Sequence, residues 1–196
     1  DVCSSDLAVT AHKVGGPHGI GALLIARGVA LEPISFGGGQ EAKLRSGTLD
    51  APAAVAFATA LTETVAEQPE RSARVRALRA QLVAAVMECA PEAVLNGCDD
   101  CLPSVAHFSF PGCEGDALLM LLDAAGVQCS TGSACTAGVP EPSHVMLAMG
   151  RDRATARGSL RFSLGATSTA TDIDALRESL PAAVARAHQA GQALAR

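Results

Sequence analysis

Apolar residues fall along this chain in two rhythms, short runs bounded by polar residues and longer stripes at helical spacing. Leu7, Ala8 and Val9 form a brief run that suits a buried strand over residues 7–10, and residues 22–26 form a second. The GGPHGIG between them cannot be strand or helix interior and predicts a glycine-rich turn. After the long polar, glycine-dense stretch LEPISFGGGQEAKLRSGTLDAP, Asp50 and Pro52 read as a cap and a first-turn proline for an apolar helix reaching about residue 66. Pro69 and Glu70 open a second helix, where Val75, Leu78, Leu82, Val86 and Cys89 share one face and Arg71, Arg74 and Arg79 lie elsewhere, as on a solvated surface. Pro91 ends that helix, and the break near Gln68 is the expected domain boundary.

From Ala93 onward helix and strand patterns alternate. Ala106, Phe108 and Phe110 occupy one face of a strand over 105–110; Pro111 and Gly112 turn the chain, and a helix follows with Leu118, Leu121, Leu122 and Ala125 aligned. Gly126 is placed to end it, and 127–129 predicts the start of another strand. A short helix is expected over 143–149 and a further strand over 159–164, which carries Arg161. Thr171 and Asp172 begin a last helix with Ile173, Leu176, Leu180 and Val184 in a stripe and a kink expected at Pro181. Three or four strands covered by helices make a small α/β layer.

Composition narrows the class of ligand. The chain has 196 residues, a net charge of -5, no Trp or Tyr and five Phe. Clustered cations for phosphate and aromatic platforms for single-stranded nucleic acid are both wanting, so a small molecule or a protein is the expected ligand. Seven cysteines cannot all pair within one chain, and the N-terminus shows no basic-then-apolar leader, which points to a reducing cytoplasm. No apolar run approaches the roughly 20 residues needed to span a bilayer.

Two residues draw attention as chemistry. Cys135 lies in CSTGSACTAGVPEPSH, among small residues and glycines that leave a thiol unshielded, with Pro140 and Pro142 closing the loop. A nucleophile that must approach a substrate and then carry something away needs such reach; an incidental cysteine in a surface loop is the plainer alternative. Lys13 follows the first apolar run directly. Partial desolvation there would favour its neutral amine and attack on carbonyls, the alternative being a solvent-facing lysine at a strand end. GGPHGIG lacks the Lys-Ser/Thr ending of a P-loop, and the single C-x-x-C of Cys98 and Cys101, with two aspartates inside it, lacks the second half of a zinc site. His107 alternates with buried strand positions and His188 lies on the terminal helix, so neither is assigned a role.

Thr10-Ala11-His12-Lys13, Gly37-Gly38-Gly39-Gln40-Glu41, Arg45-Ser46-Gly47-Thr48, Ser130-Thr131-Gly132-Ser133-Ala134-Cys135, Glu141-Pro142-Ser143 and Arg161-Phe162-Ser163-Leu164-Gly165 occur in one order. In this the chain resembles the pyridoxal-phosphate-dependent cysteine desulfurases that supply sulfur for iron-sulfur cluster assembly, with the long-loop branch matched by the Gly-Ser-Ala-Cys segment. The resemblance implies the α/β architecture of fold type I pyridoxal-phosphate transferases. Residues 1–68 would then be the C-terminal part of the large cofactor domain, and 69–196 the small α/β domain with the catalytic cysteine loop. It implies Lys13 as the covalent anchor of pyridoxal 5'-phosphate, Thr10 and His12 at or beside its phosphate, Thr48 reaching the phosphate of the partner subunit in a homodimer, and Arg161 binding the substrate carboxylate. L-cysteine would become L-alanine, leaving a persulfide on Cys135 for a scaffold or sulfur-acceptor protein. No intrinsic metal is implied, although Cys135 could meet a partner's iron-sulfur cluster.

The family's ring-stacking histidine and the aspartate that pairs with the pyridine nitrogen have no counterpart here, so the chain reads as the C-terminal portion of such an enzyme and is expected to hold cofactor poorly alone. A selenocysteine lyase or an aminotransferase of the same fold would keep Lys13 and Arg161 without needing Cys135. A non-catalytic interaction fragment would need neither.

Overall fold

The computed structural model describes residues 6–98, 100–131 and 142–194. The chain divides into two compact units, Asp1–Pro69 and Glu70–Arg196.

In the first unit, β1 (Asp6–Thr10) and β2 (Gly21–Ile25) pair antiparallel, with Leu7 opposite Leu24 and Thr10 opposite Gly21. They form a two-stranded sheet whose Leu7, Leu23 and Leu24 are exposed, so the strand ahead of Lys13 is not the buried one that its apolar run predicts. The pattern identifies the strand but not what covers it. The following stretch is irregular, as expected, and leaves Ile34 95% and Phe36 83% exposed. Among the described residues of this unit only Ala11, Ser46 and Phe57 are buried. An exposed apolar surface of this kind is characteristic of a face that meets another surface.

Helix α1 (Ala51–Cys89) begins where Asp50 predicts, its Oδ1 accepting from the Ala53 amide at 3.0 Å. The two units divide next to Gln68, but the expected helix break there is absent: α1 continues through Pro69. A proline ring inside a helix removes one N–H and crowds the carbonyl four residues back, at a cost of about 3 kcal/mol. Here the Asp50 cap starts the helix on one side and the buried stripe of Val75, Leu78, Leu82 and Val86 holds it on the other.

The second unit is built on a three-stranded antiparallel sheet in the order β3 (Val94–Asn96), β4 (Val105–Ser109), β5 (Ser159–Ser163). One face carries Ala106, Phe108, Leu160 and Phe162 into a core completed by the α1 stripe, by Leu118 and Leu122 of α2 (Gly115–Ala124), and by Ile173, Leu176 and Leu180 of α5 (Ala170–Leu194). Phe108 lies at its centre, with ring centroids 6.2 Å from both Phe110 and Phe162. Gly126 ends α2 as predicted: at φ +83 it occupies the left-handed region that side chains disfavour, and its amide reaches Asp123 O at 2.9 Å.

Three further expectations need correction. Residues 127–129 form no strand; only Ser130 pairs with β5, through a single bridge to Arg161. Helix α5 continues through Pro181, held by its apolar stripe on both sides of the ring. Two of the arginines assigned to a solvated face instead tie loops to α1: Arg74 donates to the carbonyls of Ser168 and Ala166 at 2.8 and 2.7 Å, and Arg79 Nε to Val105 O at 2.7 Å. Their long stems carry the guanidinium to carbonyls distant in sequence. Two elements are not among those expected, the short β3 and α4 (Arg153–Arg157), which Asp152 caps by accepting from the Thr155 amide at 2.9 Å. The short helix expected over 143–149 is α3 (His144–Ala148). No helix among the described residues is long and apolar enough to cross a membrane.

Candidate active site

The first unit assembles the groups around Lys13. Strand β1 delivers the chain into a 3-10 turn, Ala11–Val14, whose Ala11 is fully buried and whose amide bonds Ile20 O at 3.1 Å. Gly15 follows at φ +83, a conformation a side chain would strain, and Thr64 of α1 donates to Val14 O at 3.0 Å. The turn is thus fixed at both ends while His12 and Lys13 point to its exposed side. Thr10 Oγ1 and His12 Nδ1 are hydrogen-bonded at 2.9 Å, and the His12 ring stacks on His18 with centroids 5.3 Å apart. Among the described residues Lys13 makes no hydrogen bond or ion pair, which leaves its amine free.

Thr48 is exposed, and no hydrogen bond joins it to Thr10, His12 or Lys13. The motif ahead of it is nonetheless ordered: Ser46 Oγ donates to Gly38 O at 2.8 Å and the Gly47 amide to Gln40 Oε1 at 3.3 Å. Glu41, Ala42 and Lys43 all adopt positive φ, at 48, 55 and 67. Such residues cost about 1–2 kcal/mol each, and strain of this type clusters at ligand clamps.

In the second unit Arg161 alternates with the core residues Leu160 and Phe162, and so emerges on the opposite, exposed face of β5. Its backbone is paired in both directions with Ser130, at 3.0 and 2.7 Å. Its guanidinium makes no ion pair or side-chain hydrogen bond among the described residues. Cys135 and the rest of 132–141 lie outside the described residues. Of the residues that flank it, Ser130 bridges to Arg161, and Pro142 and Ser143 are buried ahead of α3. Of the remaining thiols, burial pushes Cys113 and Cys129 up to about 11, with Asp123 adding to the effect at Cys129. Both are protonated at neutral pH and poor nucleophiles. Cys98 and Cys101 are free, and no cluster of His, Cys, Asp and Glu among the described residues could hold a metal ion.

Sequence reasoning passed over His107. Register places Asn96, His107 and Arg161 in one row across β3, β4 and β5. The signal was the alternation of Val105, His107 and Ser109 against the apolar set, which puts a histidine on the arginine's face. Burial first, and the Arg161 cation second, hold His107 below the ordinary 6.5. The unfolded chain therefore takes up that proton before the folded one does. Stability from neutral His107 is fully present above about pH 6.5 and is lost as pH falls through the lower folded value. Urea unfolding between pH 7 and 5 should show wild type losing more stability than His107→Gln; equal slopes would remove His107 from the account.

With this geometry defined, the comparisons with known proteins place the chain. A family model, aminotransferase class V, matches residues 3–176. The chain belongs to the class-V aminotransferase family, whose members are pyridoxal-phosphate enzymes. Within it, the chain is similar to cysteine desulfurases: it is 57% identical over 193 residues to an IscS-like cysteine desulfurase of Mycobacterium tuberculosis, covering 97% of this chain and 49% of that protein. It is also 43% identical to the cysteine desulfurase IscS of Clostridium botulinum, over 89% of this chain and 45% of that protein. A solved NifS-like protein superimposes with a TM-score of 0.80 at 32% identity, over 92% of this chain and 46% of the other. The chain spans about half the length of the relatives it matches.

The residues of the first unit suit the family's cofactor. A free primary amine can engage an aldehyde, and a hydroxyl and an imidazole joined beside it can meet a phosphate or flank a ring.

Proposed function

We propose that this chain carries the lysine-bearing and sulfur-accepting portion of a cysteine desulfurase, which converts L-cysteine to L-alanine and leaves the sulfur as a persulfide on Cys135. The similarity over nearly the whole chain to proteins of that name carries the reading, and the free Lys13 amine and free Arg161 guanidinium support it. Residues 1–68 form part of the large cofactor domain and 69–196 the small domain.

Lys13 would anchor pyridoxal phosphate, Thr10 and His12 would lie at or beside its phosphate, and Thr48 would reach the phosphate held by the second subunit of a homodimer. The exposed Ile34, Phe36 and Leu24 of the first unit support a protein contact there. The bound cofactor supplies an electron sink at the substrate's α-carbon. Arg161 receives the substrate carboxylate through a planar fork that fixes its orientation. Cys135, as thiolate, attacks the substrate sulfur; the S–S bond forms as the carbon–sulfur bond breaks, that electron pair stays with the carbon fragment, and protonation releases L-alanine. The sum is L-cysteine plus a thiol giving L-alanine plus a persulfide, with no outside oxidant. The persulfide then passes to an iron-sulfur scaffold or other sulfur acceptor in the cytoplasm.

In the cofactor-loaded protein Cys135→Ser should lower sulfur transfer by on the order of a thousandfold, as expected when a nucleophile is removed. Unchanged sulfur output from that variant would instead favour a relative that does not use Cys135, such as a selenocysteine lyase.

A further inference from the structure

The row across β3, β4 and β5 contains more than the arginine assigned above. We propose that His107 is a second substrate-binding donor beside Arg161, presenting its Nε2–H to the same α-carboxylate, and that Arg151 and Asn96 fix it in that state. This inference rests on the reading of Arg161 as the carboxylate receptor.

Arg151 Nε, which can only donate, lies 3.0 Å from Asn96 Oδ1, so the amide oxygen faces the guanidinium. The amide nitrogen is then turned inward, 2.9 Å from Ser109 Oγ and 3.1 Å from His107 Nδ1. A primary amide nitrogen has only protons to offer, so His107 Nδ1 must accept and the imidazole proton resides on Nε2. A cation on the turn after α3 thereby sets the tautomer of a histidine on β4. Asn96 is buried, which makes each of these bonds expensive to lose.

His107 and Arg161 are direct partners in the β4–β5 ladder, so their Cβ atoms stand about 4.5–5.5 Å apart on one face. A guanidinium with no partner among the described residues and an imidazole N–H then share that face, a set of donors that an acceptor-only group completes. A carboxylate has the lone pairs for both. Burial and the neighbouring cation keep His107 neutral, and so a donor at one nitrogen only.

The test uses the 196-residue chain labelled with ¹⁵N, following the imidazole nitrogens of His107 and Nε of Arg161 by NMR. Free His107 should show Nε2 protonated and Nδ1 bare, and Arg151→Met should mix the two tautomers. Adding L-alanine, an unreactive amino acid, should shift Arg161 Nε and His107 Nε2 with one saturation curve; L-alaninamide, which lacks the carboxylate, should shift neither. If only Arg161 responds, the His107 proposal fails and the reading of Arg161 stands; if neither responds, both fall. In the cofactor-loaded protein His107→Phe should raise KM for L-cysteine about tenfold with kcat nearly unchanged, and His107→Gln, which keeps a donor near Nε2, should recover most of it. Equal KM in wild type and His107→Phe overturns the proposal.

Discussion

In a cofactor-loaded desulfurase that contains this portion, Lys13→Ala is expected to lower turnover by at least about a thousandfold and to remove the yellow absorbance of the bound cofactor. The expectation follows from chemistry that no neighbouring group can supply. Among the described residues Lys13 has a free amine, Thr10 and His12 are bonded to each other, and the turn is fixed by buried Ala11 and by Thr64. Thr10 and His12, the groups next to it, offer no primary amine to take over the covalent anchor. Lys13→Arg should fail equally, since a guanidinium keeps the charge but is not a nucleophile at neutral pH. Absorbance spectra and alanine release from the cofactor-loaded protein decide it; a normal absorbance band in Lys13→Ala would mean that another amine holds the cofactor.

The largest effect on stability should come from Phe108→Ala. Phe108 is fully buried at the centre of the second unit's core, with Phe110 and Phe162 against it and Leu160 opposite in the ladder. Losing a ring there removes its burial and leaves a cavity that rigid strands cannot close, at about 3–5 kcal/mol. Phe36→Ala, at a ring 83% exposed, should change stability by less than about 0.5 kcal/mol. Urea unfolding of the two variants against wild type measures the difference, and a Phe108→Ala cost near that of Phe36→Ala would refute the assignment of this core.

Where a residue's neighbours are close in sequence, the chain could be read directly. The stripes of α1 and α5, the Asp50 cap and the Gly126 stop follow from local spacing and are found as expected. What could not be read depends on distant partners. Pro69 looked like a helix start because propensity is local, yet packing on one side of it and a cap on the other carry α1 through. The apolar run of β1 looked buried because periodicity reports a pattern and not what covers it. Arg74 and Arg79 looked solvated because their carbonyl partners lie in other loops.

The site divides in the same way. Lys13 and Arg161 stood out by their motifs, and the structure places each on an exposed turn or strand face; their roles rest on the proposed function. His107 did not, because the role proposed for it lies in register: only the pairing of β3, β4 and β5 sets it between Asn96 and Arg161. A one-residue slip of β4 would have turned it into the core.

The most direct measurement is to treat the cofactor-loaded protein with L-cysteine, digest it without reductant and map by mass spectrometry where added sulfur resides. The account predicts one extra sulfur atom on the peptide containing Cys135, absent in Lys13→Ala. Extra sulfur on Cys98 or Cys129 instead, or L-alanine released with no sulfur on any cysteine, would contradict it.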